Sequence, residues 1–371
     1  MAASYFLAFL GAGVYLPYLP LYLAHLGWSV ALIGAVTGAQ PLLRWLSAIA
    51  WTWVADRWGL RHRLLVACAL GGAAAYVPLL FARAPGAVAL TLATASVLHG
   101  PLLPMLDATV LDHLAGLGGD YGRLRLWGSA AFIGGAIASA PLVAAGSPAV
   151  IPLLLLLPSL GLAPVLLGLP RHQRGRPEHS RPPWRLLTPP LGVFLAAIFL
   201  LHVSSGAWNG FFAVYSARLG FSDAVPGVTW GLTVTAEIAL FHWGRRVLDW
   251  IPAPRLIVVV VLVTAARWAL TACAEREVTI VALQLGHAIT FSASHLAAQV
   301  LLARLVSPES TTGGQALYGL AGFGCGGSAG IAIAGLLLDR LGARGLFGVE
   351  ALVALAALVP ALRIQRLDAR G

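Results

Sequence analysis

Tyr22-Leu-Ala-His-Leu-Gly-Trp-Ser29 lies over Tyr215-Ser-Ala-Arg-Leu-Gly-Phe-Ser222 at an offset of 193 without a gap. The same offset carries Gly34 onto Gly227 and Asp56 onto Asp249, and at 191 Gly122, Gly128, Phe132 and Gly135 fall on Gly313, Gly319, Phe323 and Gly326. The order of the tyrosine, glycine and aspartate positions marks the two halves as copies of one plan. The surrounding composition says what is copied. Of 371 residues, 59% are hydrophobic and 10% charged, against about 25% charged in a soluble domain. Such a chain cannot cover its surface with charge, and a bilayer is the solvent that tolerates it.

A membrane-spanning helix needs about 20 apolar residues. Twelve such stretches are present, near 3–24, 31–55, 63–82, 86–111, 124–146, 148–169, 190–216, 225–247, 255–273, 278–303, 313–338 and 345–363. The expected fold is therefore an all-α membrane protein of twelve transmembrane helices in two pseudo-symmetric six-helix bundles, residues 1–170 and 191–371. The Arg- and Pro-rich stretch 171–190 joins them as a linker. The formal charge of +10 comes from 24 arginines and no lysine. With the N-terminus inside, 17 arginines fall on the cytoplasmic side and five on the other. That is the positive-inside pattern, not a nucleic-acid-binding face. It places a multi-pass chain in the cytoplasmic (inner) membrane of a bacterium with both termini cytoplasmic. Cys68, Cys273 and Cys325 fall in apolar spans with no metal or disulfide spacing. No HExxH, phosphate loop or clustered nucleophile supports an enzyme, and no cofactor is implied.

Ionisable groups in hydrocarbon cost about 2.5–3.5 kcal/mol each on insertion scales. Arg44 in span 2 and Glu237 in span 8 occupy equivalent positions at offset 193, opposite in sign. Asp107 in span 4 and His295 in span 10 each follow a histidine, His99 and His287, by eight residues. Arg267 lies in span 9. These groups read either as salt bridges holding a bundle together or as proton and solute sites. Position favours the second for Glu237, Arg44 and Asp107. Glu237 is the expected proton site with His295 beside it in a relay, joined by Asp107. Arg44, Arg267, Asp107 and His287, with the aromatic Tyr15, Tyr18, Trp208 and Trp230, are the expected solute-binding set. Glu350 is expected to pair with Arg340 or Arg344.

Ala55-Asp-Arg-Trp-Gly-Leu-Arg-His-Arg63, between spans 2 and 3, resembles the loop signature G-x-x-x-D-R-x-G-R-R of the major facilitator superfamily. Asp56, Arg57 and Gly59 match, while the leading glycine is Thr52 here. The second copy keeps Asp249 but has Trp250 in place of the arginine. Leu16-Pro-Tyr-Leu-Pro-Leu-Tyr22, Pro104-Met-Leu-Asp107, Tyr121-Gly-Arg-Leu-Arg-Leu-Trp-Gly-Ser129, Ala236-Glu-Ile-Ala-Leu-Phe241, His287-Ala-Ile-Thr-Phe291 and Gly314-Gln-Ala-Leu-Tyr318 resemble the phenylpropionate-permease-like branch, relatives of the lactose-permease type. The resemblance implies a secondary transporter, a monomer whose partners are protons, a small-molecule substrate and the lipid bilayer. It implies a cytoplasmic gate of Asp56, Arg57, Gly59, Arg61 and Asp249, with Asp56 latching one half to the other. Span 5 reads Phe132-Ile-Gly-Gly-Ala-Ile-Ala-Ser-Ala-Pro141 and lacks the G-P-x-x-G-G element of multidrug antiporters, which favours proton-coupled uptake over efflux. A non-transporting receptor with the same fold is the alternative of another class.

The orientation is testable in cells. With Cys68, Cys273 and Cys325 replaced, Glu178→Cys should resist an impermeant maleimide on intact cells and react once the membrane is opened. Ready labelling of intact cells would reverse the topology.

Overall fold

The computed structural model describes residues 1–114, 121–170, 183–307 and 310–368. All regular structure among them is helical, and the contacts divide the chain into two units. The first comprises Met1–Glu178 with Phe212–Gly231, the second His179–Phe211 with Leu232–Gly371. Of the expected linker, residues 171–182 lie outside the described residues.

The first unit opens with α1 (Ala2–His25), α2 (Val30–Trp58) and α3 (Arg61–Tyr76). Ser29 caps α2 by accepting from Leu32 N at 3.3 Å, and Gly59 ends it in the left-handed region at φ 65°. The fourth span is broken into α4 (Pro85–His99) and α5 (Leu102–Leu114). Then come α6 (Tyr121–Gly146) and α7 (Ile151–Leu167). On α7, Leu153, Leu157, Leu160 and Leu167 are exposed, as a lipid-facing helix requires. The core is built on Tyr5, Leu65, Met105, Val110, Leu162 and Leu166.

The seventh span is broken into α8 (Pro189–Val203) and α9 (Gly206–Arg218). It is followed by α10 (Ala224–His242), the short α11 (Gly244–Trp250) and α12 (Ala253–Cys273). The tenth span comprises α13 (Glu277–Gln284), a π-helical segment Ala288–Ala293 and α14 (Ser294–Leu305). The eleventh passes from α15 (Thr311–Gly319) through a π-helical segment Leu320–Gly326 into α16 (Gly327–Ala356), and α17 (Leu358–Asp368) closes the chain. Gly342, at φ 64° and ψ 175°, makes the turn between the last two spans inside α16. Among the described residues, ten helical stretches are long and apolar enough to cross a membrane. One of them, Thr311–Arg366, is 56 residues long and holds two spans. With α2, which Arg44, Asp56 and Arg57 make less apolar, the total is twelve.

Glycines lock the same helix pair in both halves. Gly13 on α1 abuts the Phe132 carbonyl of α6, leaving no room for a Cβ, and Gly206 on α9 abuts Gly330 of α16 in the same way. These two glycines are 193 residues apart, the repeat offset. Gly135 and Gly326, the other partners in the repeat, sit against the carbonyls of Leu10 and Phe199. Backbones this close are the usual means of joining helices where lipid offers no hydrophobic driving force. Gly134, beside Gly135, faces open space. Gly13→Ala and Gly206→Ala should each cost about 1–3 kcal/mol of stability, read as a fall in Tm in detergent. Gly134→Ala should be neutral or better. Equal behaviour of all three would refute the close-packing role.

Candidate functional site

Spans 4, 7, 10 and 11 are interrupted, and in spans 4 and 10 the interruption falls beside a histidine, whereas Arg44, Glu237 and Arg267 lie within unbroken helices. In span 4, His99 precedes the break at Gly100 and Pro101, and in span 10, its repeat equivalent His287 precedes the π-helical segment. Wider π turns are frequent at functional sites. Here the segment brings His287, Phe291 and His295 into a near-parallel stack, with ring centroids 5.4 and 6.5 Å apart and interplanar angles of 9° and 15°. In an α-helix each step of four residues would rotate the rings by about 40°.

Inside the second unit, Glu237 Oε1 lies 3.1 Å from His287 Nε2. His287 Nδ1 lies 3.2 Å from Arg267 Nη1. A guanidinium only donates, so Nδ1 accepts and Nε2 carries the proton that it gives to Glu237. The contacts therefore select one neutral imidazole tautomer. Arg267 is buried, at 4% exposure. It also donates to Thr290 Oγ1 at 2.9 Å and to Gln284 Oε1, and it lies over the rings of Trp268 and Trp208 at 4.2 and 5.3 Å. Gln284 in turn reaches the Ile280 carbonyl. Glu350 is buried, accepts from Ala207 N at the start of α9, and stands within electrostatic reach of Arg267.

The expectation for Glu350 is corrected here. Arg344 pairs with Glu275, and Glu350, six residues on, faces the protein interior. The direct neighbour of Glu237 is His287. His295 lies two turns further on and meets Tyr318 OH at 3.0 Å and Gln299 Nε2 at 3.4 Å.

In the first unit, Tyr5 and Tyr121 both donate to Asp107 Oδ1, at 2.5 and 3.0 Å. Arg125 lies over the rings of Phe9 and Tyr5. Arg44 lies over Tyr15, its guanidinium carbon 4.3 Å from the ring centroid. Among the described residues no carboxylate pairs with it. Tyr18 is fully buried, its hydroxyl on the Ala136 carbonyl at 3.3 Å, and Trp230 meets Phe132 edge-on at 6.0 Å. At the α2–α3 turn, Arg61 bridges Asp56 at 3.0 Å and Asp112 at 2.6 Å. Arg57 is exposed, and so is Asp249. Gly59 is explained by its backbone conformation.

Tyr5, Asp112, Gln284 and Thr290 are absent from the expected set. Gln284, His287 and Phe291 share one face of an apolar span at spacings of three and four, a pattern visible in the sequence. Tyr5 and Asp112 carry no comparable local signal.

The profile of the MFS_1 like family matches residues 1–349. The chain belongs to this family. It is 30% identical over 372 residues to a probable 3-phenylpropionic acid transporter of Escherichia coli strain K12, covering 96% of this chain and 95% of that one. It is 30% identical over 278 residues to the maltose permease of Geobacillus stearothermophilus, covering 71% and 68%. Among solved structures, the nucleoside transporter NupG superposes with a TM-score of 0.82 at 18% identity, covering 98% and 97% of the two chains. A bacterial homolog of the human lysosomal transporter Spinster, in an inward-facing unoccupied conformation, does so at 0.76 and 14% identity, covering 98% and 96%. This MFS_1 like chain is thus a major facilitator transporter of small molecules and not an enzyme.

The Arg61 bridge gives a graded prediction. Removing one acid leaves Arg61 paired with the other, whereas removing Arg61 leaves two facing carboxylates. Arg61→Gln should lower stability by about 1–3 kcal/mol, and Asp56→Asn or Asp112→Asn by less, in thermal melts of purified protein. A larger loss from either aspartate variant would show that Arg61 is not the centre of the bridge.

Proposed function

We propose that this transporter is a proton-coupled importer of a small organic solute, an aromatic carboxylate, working by alternating access of its two six-span halves. It acts in the bacterial cytoplasmic membrane with both termini and the 171–190 linker inside, as the arginine distribution supports. One chain supplies both halves, so a monomer suffices.

The observation that carries the coupling is the buried chain Glu237–His287–Arg267. A proton arriving on Glu237 cancels the charge that holds the His287 Nε2–H. A proton arriving on His287 Nδ1 takes the position Arg267 occupies. Either event changes which arrangement of the span 8, 9 and 10 segments is preferred, and a site whose protonation biases conformation is what coupling requires. His295, reached through Phe291 and bonded to Tyr318, is the second group of the relay. Asp107, oriented by two tyrosine hydroxyls, stands on the solute side, with Arg44 and Tyr15 in the same unit. Trp208 and Arg267 support the coupling group, while Tyr18 and Trp230 shape the walls.

The relative from Escherichia coli supports the aromatic carboxylate. The maltose permease supports a second reading, a neutral sugar, and proton-antiport efflux is the alternative in direction. Transport in proteoliposomes decides among them. Glu237→Gln, which mimics the protonated carboxyl, should keep solute exchange and lose accumulation driven by a pH gradient. His295→Ala should lose less of it, and Asp107→Asn should weaken solute binding about tenfold. Normal uphill accumulation by Glu237→Gln would reduce Glu237 to a structural partner of His287. Accumulation only against an outward proton gradient would establish efflux.

A further inference from the structure

The chain holds two arginines within its membrane spans, Arg44 and Arg267, and the structure separates their roles. The terminal nitrogens of Arg267 are taken up: Gln284, Thr290 and His287 accept from Nη1 and Nη2, two indoles flank the guanidinium, and Glu237 and Glu350 stand within electrostatic reach, although its Nε, like that of Arg44, is buried without a partner. Little is left for a solute. Arg44 has an aromatic neighbour and no carboxylate among the described residues, and its Nε is buried without a hydrogen-bond partner.

One turn before Arg44 on α2 stands Gln40, 1% exposed, with neither its amide oxygen nor its amide nitrogen hydrogen-bonded. Thr37, Gln40, Arg44 and Ser47 follow one another at spacings of three and four, a polar stripe along an otherwise apolar helix. The end of α4 packs against this stripe, for a Cβ on Gly100 would run into the Arg44 carbonyl and Ser47 Oγ. Helices α2 and α4 cross the membrane in the same direction, since one span separates them. Ser96, one turn before Gly100, is therefore level with Gln40, and its buried hydroxyl is also without a partner. Buried polar groups are satisfied in nearly all folded proteins. On these two packed helices the Arg44 Nε, the Gln40 amide nitrogen and the Ser96 hydroxyl are buried donors without an acceptor, and an anionic oxygen is the group that each of them could take.

We propose that Arg44, Gln40 and Ser96 form a carboxylate-recognition subsite, with the Tyr15 ring beside it. Its ligand is an organic monocarboxylate whose oxygens take hydrogen bonds from the guanidinium and the Gln40 amide. This rests on the importer reading for the identity of the solute but not on proton coupling. A free inorganic anion shares the chemistry, so the experiment separates the two.

Binding is read without any gradient, by thermal shift and equilibrium dialysis in phosphatidylcholine nanodiscs, with phenylacetate, phenylacetamide and inorganic phosphate as probes. Phenylacetate should bind, the uncharged amide at least tenfold more weakly, and phosphate without the affinity of the aryl acid. Arg44→Gln should weaken phenylacetate about a hundredfold, and Gln40→Leu about tenfold. Gln40→Leu should also raise the Tm of the ligand-free protein, because it removes an amide with no partner, so loss of binding cannot be ascribed to misfolding. Arg267→Gln, if it folds, should bind phenylacetate more tightly than Arg44→Gln does. The proposal is overturned if the wild-type protein binds none of the acids, if the amide binds as well as the acid, if phosphate binds as well as phenylacetate, or if Arg44→Gln binds like wild type. Failure of Glu237→Gln to uncouple transport would overturn the coupling reading while leaving these binding results intact.

Discussion

A guanidinium inside a bilayer cannot give up its proton and finds no water, so the protein must bring acceptors and countercharge to it. In the second unit that requirement gathers five spans around Arg267. Its own helix α12 supplies Trp268, the tenth span Gln284, His287 and Thr290, the seventh Trp208, the eighth Glu237 through the imidazole, and the twelfth Glu350. The helix interruptions serve the same end. Thr290 lies inside the π-helical segment, and the backbone N–H that Glu350 accepts from belongs to Ala207, exposed by the break before α9. A helix terminus leaves N–H groups unsatisfied. In hydrocarbon such a terminus persists only where a partner such as this carboxylate meets it.

Glycine performs the complementary task. Where polar groups hold helices at defined distances, glycines let others approach until backbones touch, and they do so at repeat-equivalent positions. Gly13 and Gly206 tie the first span of each half to the fifth, so each bundle has a rigid seam built from the same two positions. The breaks of spans 4 and 10 lie outside these seams, whereas those of spans 7 and 11 lie on the seam of the second half, next to Gly206 and Gly326.

Much of this was legible in the sequence. The spans and the repeat followed from hydropathy and ordered residue matches, because a bilayer imposes length and composition on every crossing, while the family showed through motifs such as Asp56-Arg57-Trp-Gly59. The charged residues were legible one by one for the same reason, since each is conspicuous in hydrocarbon. Their pairing was not. Asp107 meets Tyr5, 102 positions away, and Glu350 meets Ala207, 143 positions away. Such pairs depend on how each helix is rotated about its axis. Glu350 seemed to belong with Arg340 or Arg344 by nearness in sequence, but the turn at Gly342 puts Arg344 at an exposed end and leaves Glu350 facing inward. The sequence favours His295 beside Glu237 and gives His287 to the solute-binding set, whereas His287 is the one that meets the carboxylate, both standing on one face of the span. The π-helical segment stacks their rings in line through Phe291.

The repeat explains why one half is closed electrostatically and the other open. Arg44 and Glu237 occupy one position in the duplicated plan, and His99 and His287 occupy another. In the second half the position carries a carboxylate, which attracts the imidazole N–H, and His287 closes the contact to Arg267. In the first half it carries a guanidinium. A guanidinium offers no acceptor for an imidazole N–H, and His99 turns its ring nitrogens to the Ala95 carbonyl at 2.8 Å and Ser159 at 3.4 Å. The same architecture with one sign reversed thus completes a hydrogen-bonded chain in one bundle and, among the described residues, leaves Arg44 without a paired carboxylate in the other. The proposed import of a carboxylate would use both: a carboxyl that can exchange a proton in one half and a fixed positive charge that can hold the solute in the other.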